Sequence, residues 1–295
     1  MLKSPSSGFD HEPAPAQNLE ALHLEAPHLE ILRTKTLEVH RVLCGLYGCP
    51  IPFFHQRDPI SNLVSNLLSH RTKNADTARA FKALIERFPT WQEVRDAPML
   101  EVQGLIAAAT WPEQKAPRLQ AVLREITARA GSLNLDFLGA MTVRDARDWL
   151  EQLSGVGPKT SAATLLFSKL HMPAMPVDSH HHRVALRLGL IPAGTAVGPS
   201  HALLERLLPP DWEAQQVFDH HEVLMLHGQR CCFFANPACS RCEVLDLCPT
   251  GLARLRGENA DPTRVPGKRP RSKAAPLEPA GESLSLEAGA AVKWD

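Results

Sequence analysis

The chain predicts an all-α protein of two packed helical lobes. Three observations predict it: nine or ten helix-length segments with apolar residues at helical spacing, boundary chemistry at several of their ends, and few strand signals between them. At 295 residues and 44% hydrophobic composition, the chain can bury a sizeable core in one or two lobes. Lys+Arg and Asp+Glu both number 32, so bulk charge does not advertise nucleic acid and any DNA-binding face has to be local. No apolar run reaches about 18 residues, so nothing is expected to span a membrane. The opening Met-Leu-Lys-Ser-Pro-Ser-Ser-Gly lacks the apolar stretch of a signal peptide, which points to a cytoplasmic protein.

Residues 1–28, rich in Pro, Ser, Ala and Glu, form the first element, a disordered tail. From Leu29 to Tyr47, apolar residues at 31, 32, 39, 42, 43 and 46 suit one amphipathic helix, which Gly48-Cys-Pro-Ile-Pro52 ends. Helical segments then follow near 58–69, 74–88, 98–109, 112–129, 142–153, 158–170, 179–188, 198–208 and 211–227. Asp58-Pro59, Pro112 after Trp111, Gly131 after Ala130, and Thr142 before Val-Arg-Asp mark boundaries. From about Gly251 to the end, arginines and lysines lie among prolines and small residues. This stretch suits a flexible basic tail, either a phosphate contact or a solvated end.

Leu153-Ser-Gly-Val-Gly-Pro-Lys-Thr160 carries the most chemistry. It suits a tight turn between two helices, with Gly155 and Gly157 free to take positive φ and Pro158 at the first position of the next helix. Such a turn, with Val156 at its centre, offers backbone amides to a phosphate. Lys159 then lies in the first helical turn, where the macrodipole opposes its protonation and favours a nucleophilic amine. Asp178, 19 positions on in Pro176-Val-Asp-Ser-His180, starts another helix and is placed to steady that amine. The bland alternatives are a phosphate-contacting lysine and an N-capping aspartate.

Seven cysteines is an odd count, and Cys232, Cys239, Cys242 and Cys248 crowd into C-x6-C-x2-C-x5-C. That spacing points to a metal site in a reducing compartment over a disulfide framework. Four thiolates suit a cubic iron–sulfur cluster or a tetrahedral zinc, and spacing alone does not choose. Cys44, Cys49 and Cys231 are most simply buried or loop residues. His180-His-His182 faces three directions on a helix and forms no compact metal site. His220, His221 and His227 are expected to pack or hydrogen-bond.

With the hairpin, lysine, aspartate, Leu226-His-Gly228 and cysteine loop in that order, residues 30 to 250 resemble the endonuclease III family. Its members are bifunctional DNA glycosylases of the helix-hairpin-helix superfamily. The resemblance implies a [4Fe–4S] cluster on the four cysteines, a six-helix barrel lobe over 52–171, and a cluster lobe combining the helix at 29–51 with 172–250. Double-stranded DNA with a damaged base or an abasic site would lie in the cleft between the lobes, bound by a monomer. In the implied reaction an oxidised pyrimidine is flipped out and Lys159 attacks C1′ to give an imine. Asp178 handles protons or positive charge, and β-elimination cuts the strand.

Two further features are implied at the duplex. After Leu67-Leu-Ser69, where the family commonly has a glutamine, this chain continues His70-Arg71-Thr72-Lys73, so Arg71 takes that place beside Ser69 and His70. Trp111, just before the Lys115-Ala116 pair, is the candidate wedge, with a core role as the alternative. The stretch between Lys159 and Asp178 is one residue longer than in the best-known bacterial form, around 171–174. Phe233–Ala238 in the cysteine loop carries no charge, leaving Arg230 and Arg241 to meet phosphate. Weak activity or altered lesion choice is one expectation. A monofunctional glycosylase, a non-catalytic damaged-DNA sensor and a small zinc module are the competing ones.

Overall fold

Twelve α-helices and no strand make up the described residues, 26–54, 56–258 and 261–263 of the computed structural model. They are α1 (Ala26–Tyr47), α2 (Pro59–Ser69), α3 (Asn74–Arg87), α4 (Trp91–Asp96), α5 (Met99–Leu105) and α6 (Pro112–Ala130). The second half holds α7 (Val143–Glu151), α8 (Pro158–Phe167), α9 (Ser179–Leu188), α10 (Val197–Glu205), α11 (Ala214–Arg230) and α12 (Pro249–Leu255). Among the described residues no helix is long and apolar enough to cross a membrane.

Local chemistry sets the ends. Asp58 caps α2, its Oδ1 accepting from the Ser61 N–H at 3.0 Å, and Thr142 caps α7 through the Asp145 N–H at 3.1 Å. Gly131, at φ +75°, closes α6 in the left-handed conformation that glycine adopts without strain. Helix α4 is six residues, too short for an apolar period, and only Thr90, capping the Glu93 N–H, marks it. The segment expected over 98–109 stops at Leu105. Helix α11 starts at Ala214, behind a reciprocal Glu213–Gln216 capping box, and runs to Arg230.

The expected start of the C-terminal tail at 251 falls inside α12, so that boundary is corrected. Cys248 caps α12, which runs to Leu255, and beyond it Asp261 is buried. The start of α1 at Ala26 likewise shortens the expected N-terminal tail. The rest of both tails lies outside the described residues. A second correction concerns Cys44 and Cys49, which are joined in a disulfide across the end of α1. Gly48, at φ +83°, turns the chain back there, so the pair meets within five residues. They are therefore not the free buried or loop thiols that the odd cysteine count suggested.

Two apolar cores organise the helices. The first gathers Ile60 and Leu63 of α2, Leu84 of α3, Leu119, Leu123 and Ile126 of α6, Leu150 of α7, and Ala162 and Leu165 of α8. The second gathers Val39 and Leu43 of α1, Val184 and Leu188 of α9, Leu204 of α10, and Phe218, Val223 and Leu224 of α11. Leu166 of α8 belongs to this second core. Helix α8 is therefore the shared spine: every residue from Thr160 to Leu166 is buried, and its first turn lies at the seam. The segment after it crosses the same seam, with Met172 and Ala174 in the first core and Met175 and Val177 in the second.

Candidate active site

The turn before α8 is held from two sides. The Val156 N–H donates to Leu153 O at 3.0 Å, and the buried Val156 anchors the turn in the first core. From α6, Glu125 accepts the Ser154 N–H at 3.0 Å and its hydroxyl at 2.8 Å, while Arg129 donates to the Gln152 side chain and carbonyl. Those bonds from Ser154 hold the Glu125 carboxyl below its ordinary range. Gly155 sits at φ +83°, and a Cβ there would lie 2.8 Å from Arg118 Cδ. Gly157 departs from expectation: its φ is −109°, extended backbone open to any residue, and no protein atom lies within 4 Å of where its Cβ would be.

Pro158 occupies the first turn of α8, and Gly157 O accepts the Thr160 and Ser161 N–H groups at 2.9 and 3.0 Å. No side chain caps this helix. Lys159 is half-buried and, among the described residues, makes no hydrogen bond or ion pair. Burial lowers its pKa from the ordinary lysine value, and the nearby Asp178 charge opposes that shift. Asp178 caps α9, its Oδ1 accepting the His181 N–H at 2.7 Å.

The approach to Asp178 is fixed by polar contacts. The Met175 N–H donates to Glu205 at 3.3 Å, and the Val177 N–H donates to His201 Nε2 at 3.0 Å. His201 is neutral, since burial pushes it down to about 4. In the lengthened stretch, His171 takes φ +43° and stacks on Phe53, with ring centroids 4.2 Å apart.

Behind this pair α9 packs against α11. His181 and His221 approach at 3.4 Å between their Nδ1 atoms, with His220 beside them; burial lowers the pKa of all three. Glu222, next along α11, is pushed up to about 7 by burial and by the charges of Asp178 and Asp219. The three consecutive histidines do face different partners. His180 Nδ1 lies 3.1 Å from Arg183 Nη2, His181 faces His221, and His182 Nε2 lies 2.8 Å from Thr195 O.

The turn after α2 is tied to the same place. Ser69 donates back to Asn66 O, and His70 Nε2 is hydrogen-bonded to Thr160 Oγ1 at 3.0 Å, one residue from Lys159. Arg71 at φ +52° and Trp111 at φ +55° hold the left-handed conformation that side chains rarely adopt. Their side chains meet, the guanidinium 5.8 Å from the indole ring centre. Trp111 is 45% exposed, so it is not a core residue. Lys115 zips the two turns together from beneath, donating to Leu68 O, His70 O and Thr72 Oγ1 at 2.5, 2.8 and 2.7 Å.

Cys232, Cys239, Cys242 and Cys248 line one cavity, and Cys231 lines it with them. Their surroundings suit thiolate ligands: the Gly251 N–H donates to Cys248 Sγ at 3.2 Å and Arg187 Nη1 to Cys232 Sγ at 3.4 Å. Burial pushes the Cys242 thiol up to about 12 and raises that of Cys248, so a bound cation is what would make them thiolates. A Cβ on Gly251 would meet Leu245 Cδ1 at 2.9 Å, so a side chain there would have to push that leucine aside. Among the described residues, the three donor atoms that lie within 4.8 Å of one another are those of His227, Cys231 and Cys242. Two of these, Cys231 and His227, were expected to stand outside the site.

Residues 64–210 match the model of the HhH-GPD superfamily base excision DNA repair proteins. The endonuclease III of Thermotoga maritima is 32% identical over 204 residues, 69% of this chain and 88% of that protein. The chain belongs to the endonuclease III family. A putative DNA glycosylase of Arabidopsis thaliana is 28% identical over 192 residues, and the match spans 64% of that plant protein's length. The fold agrees: a solved non-covalent endonuclease III–DNA complex superposes with a TM-score of 0.65 at 22% identity, over 76% of this chain and 98% of that one.

Within this endonuclease III fold the expected site residues fall into two groups. Lys159, Asp178, the 155–158 turn, Ser69–Arg71 and Trp111 are linked through His70–Thr160 and the Arg71–Trp111 contact. Arg230 and Arg241 stand apart at the end of α11, the first over the Tyr47 ring and the second donating to Arg230 O. Sequence reasoning missed Lys115 as a structural tie, the burial of Glu222 on α11, and the Arg187–Asp261 ion pair beside the cysteines. No spacing rule signals these, because each partner comes from a distant helix.

Proposed function

We propose that this endonuclease III homologue removes damaged bases from duplex DNA and cleaves the abasic site through an imine on Lys159. The observation that carries the reading is the state of that amine. It stands at the start of an uncapped helix, half-buried and unpaired among the described residues, with burial favouring its neutral form. Asp178 keeps one oxygen on the α9 cap and has a second for the lysine proton or for positive charge developing on the sugar. The open face of Gly157 and the free first amides of α8 suit a phosphate of the damaged strand. Arg71 and Trp111, strained and exposed together, suit the space an extruded base leaves. Oxidised pyrimidines are the lesion class we assign.

Cys232, Cys239, Cys242 and Cys248 would hold a [4Fe–4S] cluster, whose bonds would tie the cysteine loop to the start of α12. Arg230 and Arg241 would flank it as phosphate contacts. The test is borohydride trapping on a duplex with one abasic site. Wild type should give a covalent protein–DNA band that Lys159→Gln lacks. No band from folded wild type would reduce the protein to a glycosylase without lyase chemistry, or to a damage sensor.

A further inference from the structure

The turn that carries Arg71 and the turn that carries Trp111 are closed into one hydrogen-bonded net. The Thr110 N–H donates to Thr72 Oγ1 at 3.1 Å, and the Thr110 hydroxyl donates to Arg71 O at 3.0 Å. From beneath, Lys115 Nζ donates to His70 O at 2.8 Å and to Thr72 Oγ1 at 2.7 Å. Arg71 and Trp111 hold positive φ angles of 52° and 55°, and a conformation that unfavourable persists where the surrounding bonds over-determine it.

From this net, the ring of His70 reaches to α8. His70 ends α2 and gives its carbonyl to Lys115, while its Nε2 is hydrogen-bonded to Thr160 Oγ1 at 3.0 Å. Thr160 is 2% exposed, and its backbone is fixed within the helix. Its N–H donates to Gly157 O at 2.9 Å, and its carbonyl accepts the Thr164 hydroxyl at 2.8 Å. The His70 ring is neutral, since burial and the charges of Lys159, Lys115 and Arg118 push it down to about 4. The link is therefore an uncharged hydrogen bond between a surface turn and a buried hydroxyl.

Lys159 immediately precedes Thr160. Its amine is unpaired among the described residues, and no side chain caps the start of its helix. The reach of the amine is then set by where the first turn of α8 stands. Apolar packing holds α8 as a whole, but that force has no direction and tolerates a small slide or rotation. A hydrogen bond is directional, so the His70–Thr160 contact fixes this turn against Arg71 and Trp111.

We propose, resting on the lyase reading above, that His70 and Thr160 are positioning residues whose hydrogen bond holds the Lys159 amine in register with the turn that enters the duplex. The extruded sugar is placed by Arg71 and Trp111, the amine is placed by α8, and attack at C1′ needs both in one frame. A misplacement of about 1 Å costs about a hundredfold in rate, whereas one such bond contributes about 1 kcal/mol to stability. The joint therefore matters more to the reaction than to the fold.

The experiment is the single-turnover rate of borohydride trapping at saturating enzyme, on a duplex with one abasic site and on the abasic strand alone. Wild type is compared with Thr160→Val, which keeps the shape and loses the hydroxyl, with Thr160→Ser, which keeps the hydroxyl, with His70→Ala, and with the double variant His70→Ala, Thr160→Val. On duplex, Thr160→Val and His70→Ala should each slow trapping by roughly tenfold, and the double variant should be no slower than either. Thr160→Ser should restore most of the rate. On the single strand, where no stacked base is replaced, the slowing should be much smaller. Equal slowing on the two substrates overturns the proposal, as do additive losses in the double variant or a Thr160→Val rate equal to wild type. If His70→Ala does not fold, valine and serine at 160 on the two substrates decide alone. Wild type that traps neither DNA overturns the lyase reading itself, a failure distinct from the others.

Discussion

Arg187 and Asp261, 74 residues apart, meet in an ion pair of 2.8 Å with both side chains 2% exposed. The same guanidinium donates to Phe233 O and Phe234 O at 2.6 and 2.8 Å, so this pair seals the uncharged cysteine loop against α9. Asp261→Ala leaves that cation buried and uncompensated. It should cost about 3–5 kcal/mol in urea unfolding, more than the double replacement Arg187→Met with Asp261→Leu. Equal losses in the two would show that the charge pairing contributes nothing.

Acid should unfold this protein early. Burial holds His70 and His201 at about 4 and His220 at about 3, and lowers His181 and His221 as well, from an ordinary 6.5. Between those values the unfolded chain binds more protons than the folded one, so stability is complete above 6.5 and is lost as pH falls toward 4. Glu205 and Glu222, raised by burial, work in the opposite direction but are two against seven, since burial also lowers His40 and holds His227 at about 4. Urea unfolding at about pH 6.5 and about pH 5 should differ by about 2–4 kcal/mol. A flat profile would mean these imidazoles are solvated in the folded state.

Arg71 and Trp111 hold left-handed backbone that costs a side chain about 1–2 kcal/mol, close to the entropy a glycine brings. Trp111→Gly and Arg71→Gly should therefore leave stability within about 1 kcal/mol of wild type. Removal of a damaged base from duplex should nevertheless fall by about tenfold or more, since stacking at an unstacked step is worth about 1–3 kcal/mol. Unimpaired base removal at unchanged stability would relieve both residues of any part in the duplex.

Cys231 and Cys232 line the same cavity, but Arg187 donates to Cys232, and Cys231 faces Ala238 O at 3.7 Å. Cys232→Ser should abolish the visible absorbance of an iron–sulfur cluster, and Cys231→Ser should keep it. The opposite result would move the first ligand by one residue and bring the Cys231, Cys242 and His227 grouping into the site.

The helix count came through in the sequence wherever segments were long and capped, as at Asp58, Thr142 and Gly131. It failed at α4, too short for a period, and at α12, hidden among basic and small residues that resemble a tail. Of the hairpin glycines, Gly155 met its expectation through φ +83° and Gly157 did not, because sequence names a glycine without saying whether conformation or an approaching partner requires it.

By itself the sequence determined an all-α chain of the endonuclease III family, because helix caps, the hairpin and the order of motifs are local patterns that survive in one dimension. Only the tertiary structure decided that α8 is shared by two cores, that Lys115 joins two turns, and that Arg187 meets Asp261 beside the cysteine loop. Burial and charge are sums over neighbours from distant segments. The same lysine or glutamate therefore carries a different proton affinity in each fold, and no spacing along the chain encodes that sum.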